Sequence, residues 1–266
     1  MKDSTIPVFR RKIEIVNHAE GNRGCVRVAL EDDYHHFRVQ VEYADNQVTH
    51  ATGDSFRAPY TLCGSAAVVL QQLQGMPLSG NPVAVTRYGD QRQQCTHMLD
   101  EAGLAIAAAA AGREHRLYEI EVPRHVNGIT HPRLWRDGEP LLEWTVKDNV
   151  IESPAPYSGL PLGSGMSRWV LSNLETDLAE AALVLRRCAI IAQGRLRNLD
   201  LETHARSTGH CYAQQPHRAQ KALRVKGSTL DFSNDRDHLI ASDRYWLDNV
   251  AREKLPDSEF PAGPDR

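Results

Sequence analysis

Three histidines and two cysteines stand where their chemistry could be used: His35 and His36 in 32-DDYHH-36, Cys95 and His97 in 94-QCTHML-99, and Cys63 in 57-RAPYTLCGSAA-67. An imidazole titrates near neutrality and can take a proton as a general base, so His35, His36 and His97 are the candidate catalytic residues. A cysteine opening a helix lies among unpaired N–H groups at the positive end of the dipole, which favours its thiolate. Cys63 and Cys95 both fit that description. With one histidine they would form a soft donor set, so they are the candidate metal ligands and zinc is the candidate metal. The same cysteines would serve equally as small buried hydrophobes, since their spacing lacks any CxxC.

A second group lies later in the chain. The stretch 209-GHCYAQQPHRAQKALRVKGSTLDFS-233 is bracketed by Gly209 and Gly227 and is dense in polar side chains, as pocket-closing loops often are. An exposed helix would look similar. Within this stretch Arg218, Lys221 and Arg224 are candidates to face a developing negative charge. Tyr60, Trp169 and Tyr212 are candidate aromatic walls for a substrate.

The elements that must position these residues follow from periodicity. From Gly24 the chain alternates apolar and polar residues, again in 37-FRVQVEY-43, and a turn at 44-ADN-46 leads into a third run, which predicts three antiparallel strands. Because neighbours on a strand point to opposite faces, only one of His35 and His36 can face the helices. Pro59 to Gly75 has helical apolar spacing at Leu62, Ala66, Val69, Leu70 and Leu73. A second helix starts near Cys95 and stops at Gly112, with Asp100 and Glu101 placed in its first turn. Beyond it, three runs separated by Asn127-Gly128 and Asp137-Gly138 predict a second small sheet. Residues 153–167 read as a Pro/Gly/Ser loop, 177–195 as a long helix, and 251–266 as a fraying tail.

The predicted fold class is therefore α+β: a small antiparallel sheet covered by two helices, with an added C-terminal strand and helix region. The expected division is 1–115 as the core, 116–250 as a region completing a pocket, and 251–266 as the tail. Among 266 residues, 41% are apolar and 24% charged, the profile of a globular protein with ample core. A net charge of -3 with dispersed Lys and Arg argues against nucleic acid as a partner. No signal-peptide run and no stretch of 18 apolar residues occurs, so no membrane association and a cytoplasmic location are expected. Five scattered cysteines read as reduced thiols. GxSxG, GxGxxG, GK[ST] and HExxH motifs do not occur, which argues against a nucleotide cofactor and against the hydrolases those motifs mark.

The chain resembles a bacterial family known as domain of unknown function 2889, on 34-YHHFRVQV-41, 57-RAPYTLCGSAAVVLQQLQGMPL-78, 95-CTHMLDEAGLAIA-107 and 211-CYAQQPHRAQKALRVKGSTLDF-232. In that family a His-Asp pair is common at the strand entry, where this chain has His35-His36. Residues 24–112 are also distantly similar to the iron-sulfur cluster scaffold fold. Cys63 and Cys95 match two of its cluster cysteines, the third has no match, and Gln94 replaces its histidine. With half the ligands missing, no stoichiometric cluster is expected. The first resemblance implies an aromatic, phenylpropanoid or lignin-derived substrate. The expected function is a lyase using general acid–base catalysis, requiring no cofactor or assisted by zinc. The alternative is a non-enzymatic metal or iron-sulfur carrier built on Cys63 and Cys95. Either reading is compatible with a homo-oligomer.

Overall fold

The computed structural model describes residues 7–249, and the expected fraying tail lies outside them. Its centre is a seven-stranded antiparallel sheet in the order β4-β3-β2-β1-β5-β7-β8. The strands are β1 (Val8–Glu20), β2 (Arg23–Asp32), β3 (His36–Ala44), β4 (Gln47–Arg57), β5 (His115–Pro123), β7 (Arg133–Arg136) and β8 (Glu139–Glu143). A separate three-stranded sheet is made by β6 (Ile129–Thr130), β9 (Thr145–Lys147) and β10 (Val150–Ser153). Chain reversals fall at Asp45-Asn46, Asn127-Gly128, Asp137-Gly138 and Asp148-Asn149, where both residues of each pair have positive φ. That is the backbone of the tight turns that match strand twist, and short Asn, Asp and Gly residues adopt it at least cost.

The small sheet with two helices was too modest an expectation. β1 pairs with β2 from Arg11↔Asp32 to Glu20↔Arg23, and on its other edge with β5 from Val8↔Pro123 to Val16↔His115. Strands beyond residue 115 therefore extend the first sheet. The segment expected to start a helix at Pro59 also differs. Thr61 N donates to Leu223 O and Val225 N to Pro59 O, so residues 59–61 run extended against 223–225. Helical winding begins at Gly64 and continues to Leu73 as a 3-10 helix that buries Ala66, Leu70 and Leu73.

β2 is buried along almost its whole length, because both faces of the sheet are covered. On one face Val26, Val28 and Leu30, with Ile13 and Ile15 of β1 and Phe37, Val39 and Val41 of β3, pack under α1 (Thr96–Ala110). On the other, Ala29 and Val16 pack against Ile240, Trp246 and Leu247, around α5 (Arg244–Asp248). Two further helices, α2 (Met166–Asn173) and α3 (Thr176–Ile191), follow the second sheet, and a short α4 (Pro216–Ala219) precedes α5. α3 lies over β5, β7 and β8 on the same face as α1, tied to it by Arg187 Nε donating to Asp100 Oδ2 at 2.6 Å. None of the described helices is long and apolar enough to cross a membrane.

Candidate active site

Between α1, α3 and the sheet lies a cavity of about 740 Å³. Its floor is Arg11 and Ile13 of β1, Leu30 of β2, Phe37 of β3 and the β2–β3 corner at Tyr34 and His35. One wall is the α1 face Thr96, His97, Asp100, Glu101 and Leu104, and the opposite wall is α3.

The corner is built around Asp32, which is fully buried. Its Oδ1 accepts from the backbone N–H groups of Tyr34 at 2.7 Å and His35 at 2.8 Å, which turns the chain out of β2. The antiparallel register places Arg11 opposite Asp32, and Arg11 Nε donates to Asp32 Oδ2 at 2.9 Å. His35 Nδ1 lies 3.1 Å from Asp32 Oδ1. Burial alone would raise the Asp32 carboxyl, but Arg11 and then His35 reverse this and hold it well below the usual carboxylate range. An ionised carboxylate can only accept, so Nδ1 is the nitrogen that keeps its proton whenever the His35 ring is neutral, and Nε2 is then the atom that takes one up.

His97 lies beside it, with ring centroids 4.0 Å apart and the planes tilted by 32°. Burial, then the neighbouring His35 and Arg11, push the His97 pKa well below its ordinary value and keep the ring neutral. One helical turn on, Glu101 is buried and both carboxyl oxygens lack a hydrogen-bond partner among the described residues; so does His97 Nε2. Burial raises the Glu101 pKa well above the carboxylate range, more than Arg11 lowers it. Two unsatisfied polar groups thus line a cavity beside an oriented imidazole. Such groups are costly unless something occupies the space, and perturbed titration in a cleft marks functional sites.

Of the three histidines proposed as bases, the structure brings His35 and His97 together and separates His36. As the alternation requires, His36 faces the other side of the sheet, with Nε2 2.7 Å from Asp243 Oδ2. Cys63 and Cys95 both line the cavity, with Cys211 beside them. Cys95 is the N-cap of α1, as expected, yet its thiol is not activated. Burial pushes Cys95 well above the ordinary value and Cys63 up to about 12, so desolvation outweighs the helix dipole. Among the described residues, the donors that approach one another closely enough to share an ion are those of Asp32, His35 and His97, within 4.8 Å, and no cysteine joins them.

Tyr60 borders the cavity and donates its hydroxyl to Glu202 Oε2 at 2.7 Å. The other proposed substrate contacts are not among the lining residues. Trp169 packs on Tyr157. Tyr212 packs under Arg218, whose guanidinium sits 3.9 Å from the ring centroid, and Lys221 is exposed. Arg224 is buried and holds Pro59 O, Ser228 Oγ, Thr229 Oγ1 and Asp200, so its charge locks a loop rather than meeting a ligand. From that polar stretch His210, Cys211 and Gln214 reach the cavity.

Sequence reasoning passed over Asp32, Arg11 and Glu101. Two signals were present: an Asp three residues before a histidine at a strand end, and His97 and Glu101 at i,i+4 on one helix face. Glu101 was expected in the first turn of α1, whereas no acidic residue lies there and both Asp100 and Glu101 fall in the second. Compared with known proteins, the chain matches no family model, no curated protein and no solved structure.

Proposed function

We propose that the cavity is the active site of a lyase that cleaves a small aromatic compound, phenylpropanoid or lignin-derived, by general acid–base catalysis. The observation that carries this reading is the buried Asp32–His35 pair in one cavity with the adjacent His97 ring and the Glu101 carboxyl, whose Nε2 and carboxyl oxygens lack hydrogen-bond partners among the described residues. Asp32 orients His35 and stabilises the imidazolium that forms when Nε2 takes a proton. Glu101, whose pKa burial raises, is the matching acid. On a para-hydroxyaryl substrate His35 takes the phenolic proton, and the electron pair moves through the ring to expel a benzylic leaving group. The leaving group receives the Glu101 proton. The Glu101 carboxylate then takes a proton from the neighbouring hydroxymethyl group, its carbon leaves as an aldehyde, and the pair returns through a new C=C bond to the aryl oxygen, which recovers its proton from His35. No external oxidant or reductant is needed. Leu30, Phe37 and Leu104 provide apolar walls suited to an aryl ring. The aromatic class itself rests on the family resemblance.

The test is turnover of a panel of aryl-propanoid dimers and hydroxycinnamoyl compounds by chelator-treated protein. Glu101→Gln is expected to lose turnover on the order of a hundredfold. Turnover of no compound by the unmodified protein would remove the reading.

A second reading has one observation in its favour, the approach of the Asp32, His35 and His97 donors to within 4.8 Å, which suits a divalent ion such as zinc acting as Lewis acid. Asp32 favours the first reading, because Arg11, two backbone N–H groups and His35 already use its lone pairs. Stoichiometric zinc in purified protein, with activity restored by zinc after chelation, would select the second.

A further inference from the structure

Four arginines line the cavity: Arg11, Arg186, Arg187 and Arg197. Three have carboxylate partners. Arg11 pairs with Asp32, Arg187 with Asp100 and Arg197 with Glu202. Arg186 is different. Its Nε donates to Leu162 O at 2.6 Å and its Nη2 to Gly163 O at 3.0 Å, and no acidic side chain pairs with it among the described residues.

The geometry of those two bonds decides what remains. A guanidinium carries five N–H donors in a rigid plane. The backbone carbonyls occupy Nε and one hydrogen of Nη2, so Nη1 and the second Nη2 hydrogen are left along the outer edge. Two parallel donors there match the two oxygens of a carboxylate. The carbonyls also fix the side chain, so little rotamer entropy is lost when a ligand binds. Arg186 is half-buried and lines the cavity from α3 together with the apolar Leu183, Val184, Ile190 and Ile191 and the charged Glu180 and Arg187. Ser164 and Ser167, which follow the Gly163 carbonyl that Arg186 holds, also line the cavity.

We propose that Arg186 is the carboxylate-binding residue of this cavity, so that its ligand is an aromatic acid held by its carboxylate at Arg186 with its ring toward the Asp32–His35 pair. This rests on the reading of the cavity as a substrate site, and it adds the charge and orientation of the substrate. A neutral ligand would offer the free edge of the guanidinium no charged pair of acceptors. An aromatic acid satisfies both the cation and the apolar walls.

The experiment is equilibrium binding of 4-hydroxycinnamate, its neutral amide and inorganic phosphate to the full chain, by calorimetry, at low and at physiological salt. The unmodified protein is expected to bind the acid about 10- to 100-fold more tightly than the amide, the range of a charge-assisted bond, with phosphate not competing. Arg186→Met should lose that preference while binding the amide as before, and Arg186→Lys should keep part of it, because a lysine retains charge but not the paired donors. If Arg186 only pins residues 162–163, both variants lower the melting temperature and leave the preference intact, which overturns the proposal. Equal binding of acid and amide, binding of neither, or displacement by phosphate also overturns it. Turnover by the unmodified protein separates the two ideas. An acid preference that Arg186→Met abolishes, in an unmodified protein that turns over no aryl-propanoid, removes the lyase and keeps the subsite; turnover of neutral aryl-propanoids without any acid preference does the reverse.

Discussion

His97 and Glu101 are each a departure from what their side chains do in water, and burial is the common cause. For Glu101 the sign of the stability effect is fixed by the direction of its shift. A carboxyl whose folded pKa is raised contributes full stability below the ordinary value of 4.5, and that contribution is lost as pH rises toward the folded value. The slope approaches about 1.4 kcal/mol per pH unit for one proton. Glu101→Gln keeps the shape and removes the titration, so its stability relative to the unmodified protein should improve between pH 5 and pH 8. Denaturant melts at the two values check this, and identical pH slopes would show that Glu101 ionises normally. The thiols carry a parallel expectation. With burial raising Cys63 to about 12 and Cys95 well above its ordinary value, both should react with iodoacetamide at pH 8 at least tenfold more slowly than free cysteine. Rapid alkylation of either would restore it as a nucleophile. What was legible in the sequence at this scale was residue type. His35 and His97 stood out because imidazoles are rare and reactive, whereas Asp32 and Glu101 looked like two of many surface acids until the fold buried them.

α1 was the most legible element. Its apolar stripe and its start at Cys95 were readable, since a 15-residue helix carries enough turns for its period to be unmistakable. The 3-10 helix at 64–73 was not, because Ala66, Leu70 and Leu73 have the spacing of either winding and the long-range bonds of 59–61 to 223–225 decide where it begins. β1 was missed for a related reason. Buried Arg11 interrupts its apolar face, and only its partner Asp32, 21 residues away, explains it. The wall opposite α3 depends on one close approach. A Cβ on Gly103 would lie 2.1 Å from the Pro82 carbonyl oxygen, so α1 and the 3-10 helix Pro82–Arg87 touch backbone to backbone. Gly103→Ala must push them apart and is expected to cost about 1–3 kcal/mol, the range for overpacking a filled site. Because Pro82, Val83 and Val85 line the cavity, its ligand affinity should fall as well. A melting temperature unchanged in Gly103→Ala would show that this contact yields to a methyl group without cost.

Across the whole molecule the sheet joins what the sequence divided. The expected boundary at residue 115 coincides with the first residue of β5, which hydrogen-bonds along β1 from Val8↔Pro123 to Val16↔His115. Cutting there opens an edge in the middle of a seven-stranded sheet and uncovers Ile13 and Ile15. A fragment of residues 1–115 is therefore expected to lack a cooperative thermal transition, and a sharp melt of that fragment would establish it as an independent unit. The α+β class was readable from the mixture of periods, and the turns from their Asn, Asp and Gly pairs. The number of strands in one sheet was not, because it depends on pairings between residues more than a hundred positions apart.

Two adjacent histidines test whether the base lies on the helix-covered face of the sheet and not on the opposite face. His35 lies in the cavity on Asp32, and His36 lies across the sheet on Asp243. The measurement is turnover of an aryl-propanoid substrate by His35→Gln and His36→Gln side by side, below the melting temperature of both. A loss on the order of a hundredfold is expected in His35→Gln, and turnover within about twofold of the unmodified protein in His36→Gln. Equal rates in the two variants, or a larger loss in His36→Gln, would contradict it.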